Sequence, residues 1–230
     1  MIEAARISAL RTALVSFVAA KRLATLKPLR LGLIGCGPIG LAHLEIFLTK
    51  LAVESLVLYD SNPARVADAI EMVRDLGFRG EIEGESSAST IFRNANCIVL
   101  ATTVTSPYVR RDMLQPGQTL LNASLDDLAE DVFYEADQIW VDDLNLVLDD
   151  ERRLLGKILR AEKEGRTSRP LHLSGSIDQL IAGVRIGRMH KDEIIILNAF
   201  GMAILDLGIA SIILKEATDR QYGERFDFEA

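Results

Sequence analysis

Two cysteines, three histidines, one tryptophan and six prolines are all that the 230 residues hold of these types. Cys36 and Cys97 form no C-x-x-C pair, both sit in apolar surroundings, and no histidine stands at ligand spacing from either. A disulfide framework and a Cys/His metal site are thereby excluded, so buried thiols in a reducing cytoplasm and no bound metal are expected. No run reaches the roughly 18 apolar residues of a membrane span. Glu3, Arg6 and Arg11 interrupt the apolar N-terminal pattern, unlike a signal peptide. Positive charge is also in deficit: the formal net charge is −7. A nucleic-acid surface is not expected, and any bound phosphate must rely on local dipoles and a few cations. The balance predicts a cytoplasmic protein with neither nucleic acid nor membrane as partner.

What is present is apolar periodicity, in a chain that is 49% hydrophobic. From Ile2 to Leu26 there is neither glycine nor proline, and Ile7, Leu10, Leu14, Phe17 and Val18 recur at helical spacing, with Lys21 and Arg22 near the end. This predicts one long helix whose apolar face needs a partner. Beyond Pro28 short apolar runs alternate with helical patterns. Strands are expected at 30–35, 55–60, 80–83, 96–101, 118–122, 138–142 and 193–198. Helices are expected at 38–51, 63–76, 88–94, 129–136, 151–164, 176–182 and 201–218, followed by a solvated tail. Near-continuous apolar strands separated by helices mark a parallel sheet covered on both faces, so the fold class is α/β, a doubly wound sheet with N- and C-terminal helices beside it.

The stretch "LGLIGCGPIGLAHLEIF" places Gly35, Gly37 and Gly40 at G-x-G-x-x-G spacing where a strand stops and a helix starts. There the first glycine permits a tight turn, the second lets a pyrophosphate approach the backbone, and the third lets helix and strand pack closely. The phosphates then meet the N–H groups and positive dipole end of the helix. Asp60 ends the next strand, twenty residues beyond Gly40, which supports a dinucleotide site over glycines serving only a turn. A carboxylate there accepts ribose hydroxyls and repels a 2′-phosphate, which favours NAD over NADP. Arg65 reads as a helix-surface cation.

Two further stretches follow strand ends. "VLATTVTSP" sets Thr102, Thr103 and Ser106 where ligands bind in open α/β sheets; a Ser/Thr-rich turn before Pro107 is the plainer reading. "LLNASLDDLAED" gathers Asn122, Ser124, Asp126 and Asp127 where a carboxylate could exchange a proton as hydride moves; helix capping by Ser124 or Asp126 is the alternative. In "VDD", Val141 to Asp143, a cap or surface acid is the better reading. His43, His172 and His190 lack partners at triad or ligand spacing and read as structural or solvated.

The ordered segments "RISALRTALVSFVAAKRLA", "GLIGCGPIGLAHLEIF", "LYDSNPAR", "ATTVTSP", "NASLDDL" and "EIIILNAFGMAILDLGIASIILKEA" together resemble the ornithine cyclodeaminase/μ-crystallin family of NAD(P)-dependent enzymes, over nearly the whole chain. "ASLDDL" and "NAFGMAILD" resemble its branch that releases 2,3-diaminopropionate and 2-oxoglutarate from N-(2-amino-2-carboxyethyl)-L-glutamate in siderophore and peptide-antibiotic pathways. The resemblance implies that Arg11 binds the carboxylate of a small amino acid substrate and that Thr12 lies near the cofactor phosphates. It sets Pro38 and Ile39 against the pyrophosphate, Asp60 at the ribose, Thr103 near the nicotinamide, and Asp127 as the catalytic acid acting on amine or water. Asn198 and Ala199 replace a family Lys-Ser pair, so only backbone approach at Gly201 carries over.

Family members also carry, ahead of the "LRTA" helix, strands of a dimer interface and a catalytic lysine, whose place neither Lys21 nor Lys27 takes. The expected organisation is therefore 1–28 as a helix of an oligomerisation and substrate domain, 29–198 as the Rossmann NAD-binding domain, and 199–230 as a return to the first. A homodimer is expected, with a second polypeptide supplying the remaining segment as one option. The alternatives are a cyclodeaminase or ketimine reductase of the same family, or an NAD-binding protein or fragment without activity.

Overall fold

A computed structural model describes residues 3–25 and 28–224. Lys27 and the end of the expected tail, 225–230, lie outside the described residues. The chain opens on α1, Ala4–Leu23, where Glu3 accepts the backbone N–H groups of Ala5 and Arg6 at 2.8 and 2.7 Å as an N-cap. Then come β1 (Leu29–Ile34), α2 (Pro38–Lys50), β2 (Val53–Tyr59), α3 (Pro63–Asp75), β3 (Glu81–Gly84), α4 (Ala88–Asn94) and β4 (Cys97–Leu100). Each has the type that its periodicity predicts. Pro38 and Pro63 stand in the first turns of their helices, where no N–H is missed.

The second half runs β5 (Thr119–Asn122), α5 (Glu130–Glu135), β6 (Gln138–Val141), α6 (Leu144–Asp149), α7 (Leu154–Lys163), β7 (Gly175–Ser176), α8 (Ile177–Ile181), β8 (Ile195–Asn198) and α9 (Ala203–Asp219). One expectation is corrected here. The helix expected at 151–164 is the second of two, because Asp150 accepts the N–H groups of Arg152 and Arg153 at 2.7 and 2.9 Å and divides α6 from α7. The two-residue strand β7 is too short to leave a periodic signal.

The eight strands lie in the order β3-β2-β1-β4-β5-β8-β6-β7, and every pairing is parallel. The chain reverses its direction of travel across the sheet between β1 and β4. At such a switch point the flanking connections leave on opposite faces and open a crevice beyond the strands' carboxyl ends. One face is packed by α1, α2, α3 and α8 through Leu23, Phe47, Val73 and Leu180; the other by α4, α5 and α7 through Phe92, Phe133 and Ile158. β4, β5, β6 and β8 are buried at every residue, as strands covered on both faces must be.

The terminal helices behave differently. α1 packs against α2, where Phe17 meets Phe47 edge-on at 6.1 Å between ring centroids. α9 touches α1 but has no buried residue, and Ile204, Leu207, Ile212 and Leu214 are each at least 60% exposed. No helix among the described residues is long and apolar enough to cross a membrane.

Candidate functional site

The turn leaving β1 is built by its glycines. Gly35 has φ +99°, and a Cβ there would lie 2.4 Å from the carbonyl oxygen of Ala101 at the end of β4. A Cβ on Gly40 would lie 2.0 Å from the carbonyl oxygen of Gly35. Both glycines are required by the protein's own packing. Gly37 is not: its φ is −81°, and an added Cβ meets nothing within 4 Å. It is the N-cap residue of α2 and supplies no side chain to the helix's first N–H groups, which are left for an anion. A cradle that a methyl group would begin to fill, at the positive end of a thirteen-residue helix, fits the pyrophosphate of a dinucleotide. Pro38 is exposed and Ile39 half-buried beside it.

Asp60, just after β2, is buried and turned toward this loop. One carboxylate oxygen accepts the Cys36 N–H at 2.8 Å and the other the Asn62 N–H at 2.8 Å. The acid therefore fixes the loop as well as standing where a ribose is expected, and each oxygen keeps a lone pair for a hydroxyl. Burial and the Asp60 charge push the Cys36 thiol up to about 12, so it stays protonated.

Beyond β4 and β5 two loops are tied together by hydroxyls. Ser124 accepts the Thr102 N–H at 2.7 Å, Thr102 donates from Oγ1 to Asp127 Oδ1 at 2.7 Å, and the Tyr108 hydroxyl donates to Asp127 Oδ2 at 3.2 Å. Asp127 has no exposed surface. Burial raises its pKa, against the lowering effect of hydrogen bonds from Thr102, Ser124 and Tyr108. Its two carboxylate oxygens are thus occupied by hydroxyls from the loop beyond β4, and the Thr102 hydroxyl links it to that loop. The capping alternative is not realised, since the next helix, α5, has Ala129 as its N-cap. Thr103 and Ser106 are exposed on the same loop and form no side-chain hydrogen bond among the described residues.

Arg11 lies where α1 meets the turn before α9. Its Nε donates to Asp206 Oδ1 at 3.2 Å and its Nη2 to Ser8 Oγ at 3.4 Å. Gly201, with φ +90°, sits so close that a Cβ would lie 2.9 Å from Arg11 Nη1. Gly201, expected to approach a cofactor, thus also lies against Arg11. Thr12, expected near the phosphates, is buried and donates its hydroxyl to the Ser8 carbonyl at 2.8 Å within the helix. A cavity of about 360 Å³ opens beside Arg11, between α1, α8 and α9, with Leu14, Val18, Ile181 and Leu205 on its walls.

Asp142 of "VDD" and Arg153, which the sequence did not single out, hold that turn. Asp142, at the end of β6, accepts the N–H groups of Phe200 and Gly201 at 2.9 and 2.5 Å. Arg153 donates to the carbonyls of Ala199 and Phe200 at 2.5 and 3.1 Å and stacks over the Phe200 ring at 4.5 Å. The expectation of a cap in "VDD" holds for Asp143, which accepts the Leu146 N–H at 2.8 Å to open α6. It fails for Asp142. His43 is structural, as expected: it is buried between α2 and α1. No group of three or more His, Cys, Asp and Glu able to hold a metal occurs among the described residues.

Residues 1–221 match the sequence pattern of the Ornithine cyclodeaminase/mu-crystallin family. The chain belongs to this family. It is 32% identical over 224 residues to N-((2S)-2-amino-2-carboxyethyl)-L-glutamate dehydrogenase of Staphylococcus aureus, covering 97% of this chain and 65% of the relative. It is 27% identical to an alanine dehydrogenase of Archaeoglobus fulgidus, covering 99% of this chain and 69% of that one. Among solved structures, that of CmnK superposes with TM-score 0.86 at 27% identity, covering 98% of this chain and 66% of that chain. The Delta(1)-pyrroline-2-carboxylate reductase of Thermococcus litoralis, solved with NADH and L-proline, superposes with TM-score 0.83 at 26% identity, covering 96% and 68%. The chain thus spans about two thirds of the length of the relatives it matches.

Proposed function

We propose that the chain carries the NAD-binding part of an amino acid oxidoreductase acting on N-(2-amino-2-carboxyethyl)-L-glutamate. The observation that carries this reading is the 32% identity to an enzyme of that name across 97% of the chain. The glycine cradle and Asp60 support the cofactor. Gly35, Gly37, Pro38, Ile39 and Gly40 line the diphosphate, Asp60 takes the ribose hydroxyls, and Thr102, Thr103 and Ser106 face the nicotinamide end. NAD bound there supplies a hydride acceptor.

The overall change moves a hydride off the glutamate α-carbon and leaves a C=N bond, because the nitrogen lone pair stabilises the cation formed. Water adds to that carbon, the C–N bond breaks, and 2,3-diaminopropionate and 2-oxoglutarate separate with release of one proton. Arg11 holds a substrate carboxylate, a task suited to the planar fork of a guanidinium. Asp127 acts through Thr102, holding its hydroxyl in place and linking it to a buried carboxyl that takes up a proton more readily than an ordinary aspartate. Ser124 sets the Thr102 backbone, and Thr12 and Gly201 serve α1 and Arg11.

The exposed apolar length of α9 supports assigning 1–28 and 199–230 to an oligomerisation and substrate element flanking a Rossmann domain at 29–198. A second copy of the chain is its proposed cover.

Likeness to the pyrroline-2-carboxylate reductase solved with NADH and L-proline favours a second reading, reduction of a cyclic imine. One assay separates the two. With NAD and N-(2-amino-2-carboxyethyl)-L-glutamate, NADH absorbance should rise together with 2-oxoglutarate. Consumption of NADH on Δ1-pyrroline-2-carboxylate, with no oxidation of the first substrate, moves the assignment to the reductase. NAD binding with neither reaction leaves a dinucleotide-binding protein.

A further inference from the structure

We propose that Asp206 is a positioning residue for Arg11, holding the guanidinium so that its two-nitrogen end faces the substrate carboxylate. This rests on the reading of Arg11 given above and extends it to a residue on the other terminal helix. Arg11 and Asp206 are 195 positions apart and meet at 3.2 Å between Nε and Oδ1, with side chains 16% and 33% exposed.

Three contacts fix the guanidinium plane. Asp206 takes the Nε hydrogen, Ser8 Oγ lies 3.4 Å from Nη2, and Gly201 packs beside Nη1, where an added Cβ would lie 2.9 Å away. Among the described residues no carboxylate other than Asp206 bonds Arg11. Nη1 and the second hydrogen of Nη2 are left for an incoming carboxylate, which can take two parallel hydrogen bonds from them.

Asp206 has two opposed effects. Its charge disfavours a second carboxylate on the same guanidinium, while its hydrogen bond removes the rotamer freedom that an arginine otherwise loses on binding. At a partly exposed pair the Coulomb effect is screened. Orientation dominates, so losing the acceptor weakens binding, whereas losing only the charge does not.

The test compares Asp206→Ala, Asp206→Asn and Arg11→Ala in oxidation of N-(2-amino-2-carboxyethyl)-L-glutamate. Because α9 contributes no buried residue, the Asp206 variants should fold. Asp206→Ala should raise KM about tenfold with kcat within about threefold, the loss of one oriented charged hydrogen bond. Asp206→Asn, which keeps an acceptor for Nε, should recover most of that loss. A lower KM in Asp206→Ala overturns the proposal and makes Asp206 a competitor for Arg11. An unchanged KM in Arg11→Ala instead removes the reading beneath it. A second measurement is independent of turnover: nitrogen-15 NMR of the whole chain should show slow solvent exchange of the Arg11 Nε hydrogen that becomes fast in Asp206→Ala. Equal exchange in the two proteins also overturns the proposal.

Discussion

Nε2 of His43 stands 2.9 Å from the hydroxyl of Ser16 and Nδ1 stands 2.7 Å from the carbonyl oxygen of Ile39, so this one ring joins the helix after the glycine loop to the first helix. A carbonyl only accepts, which makes Nδ1 the donor and leaves Nε2 to accept from Ser16. The ring is neutral, and burial pushes its pKa down from 6.5 to about 4.

Stability at acid pH follows from that shift. An unfolded histidine takes a proton near pH 6.5, whereas the folded one resists until about pH 4. Between these values the unfolded state binds more protons, so the stabilising contribution is full above pH 6.5 and falls as pH drops toward 4. The loss by pH 4 is on the order of 3 kcal/mol. Thermal melts from pH 7 to 4.5 should show a steep fall of Tm that His43→Gln flattens. Parallel curves for the two proteins would show that His43 is not buried neutral.

The glycines of the loop separate folding from binding. Gly35→Ala must place a methyl group 2.4 Å from the Ala101 carbonyl oxygen at a φ of +99°, and should destabilise the chain by about 3 kcal/mol or more. Gly37→Ala meets open space at an ordinary φ. Its stability should change by no more than about 0.5 kcal/mol. Calorimetry should nevertheless find NAD affinity down at least tenfold, because the methyl group occupies the space into which the diphosphate fits. Unchanged NAD affinity in Gly37→Ala would mean that the cradle is not the binding site.

Asp127 is a test of its own. Its carboxylate joins Thr102 to Tyr108, so Asp127→Ala strands two half-buried hydroxyls and should cost about 1–3 kcal/mol while weakening NAD binding through a loosened 102–108 loop. Asp127→Asn keeps the shape and one acceptor, and the hydroxyls can rotate to accept from its amide. Its fold and NAD affinity should stay near wild type while turnover falls, since the amide takes up no proton. Full turnover in Asp127→Asn would leave this residue a purely structural post.

The order and type of the elements, α6 and β7 excepted, were legible because they rest on local periodicity. The three-residue grammar of Gly35, Gly37 and Gly40 is likewise local, and so is the distance to Asp60. Arg11 with Asp206, and Asp142 with Gly201, were not legible as pairs, since spacings of 195 and 59 residues are closed only by the sheet and the terminal helices. Asp127 shows a third case. Its position after a strand was readable, but whether its carboxylate faces the crevice or the interior depends on Tyr108 and Thr102 supplying hydroxyls from another loop.

Asp142 and Asp143 are adjacent acids with unequal work, which a pair of alanine variants should expose. Asp143 caps a six-residue helix through the Leu146 N–H, so Asp143→Ala should cost about 1 kcal/mol and act locally. Asp142 accepts two backbone N–H groups of the turn that backs Arg11. Each is a hydrogen bond to a charged group, and losing both leaves two donors without partners, a local loss of about 3 kcal/mol. Hydrogen exchange at the Phe200 and Gly201 amides should therefore accelerate by about a hundredfold in Asp142→Ala. Because Gly201 sets the distance between Arg11 and α9, the Arg11 Nε hydrogen should lose protection in the same variant, although neither Arg11 nor Asp206 has been touched. If protection at Phe200 and Gly201 is the same in both variants, the turn is held by Arg153 rather than by Asp142.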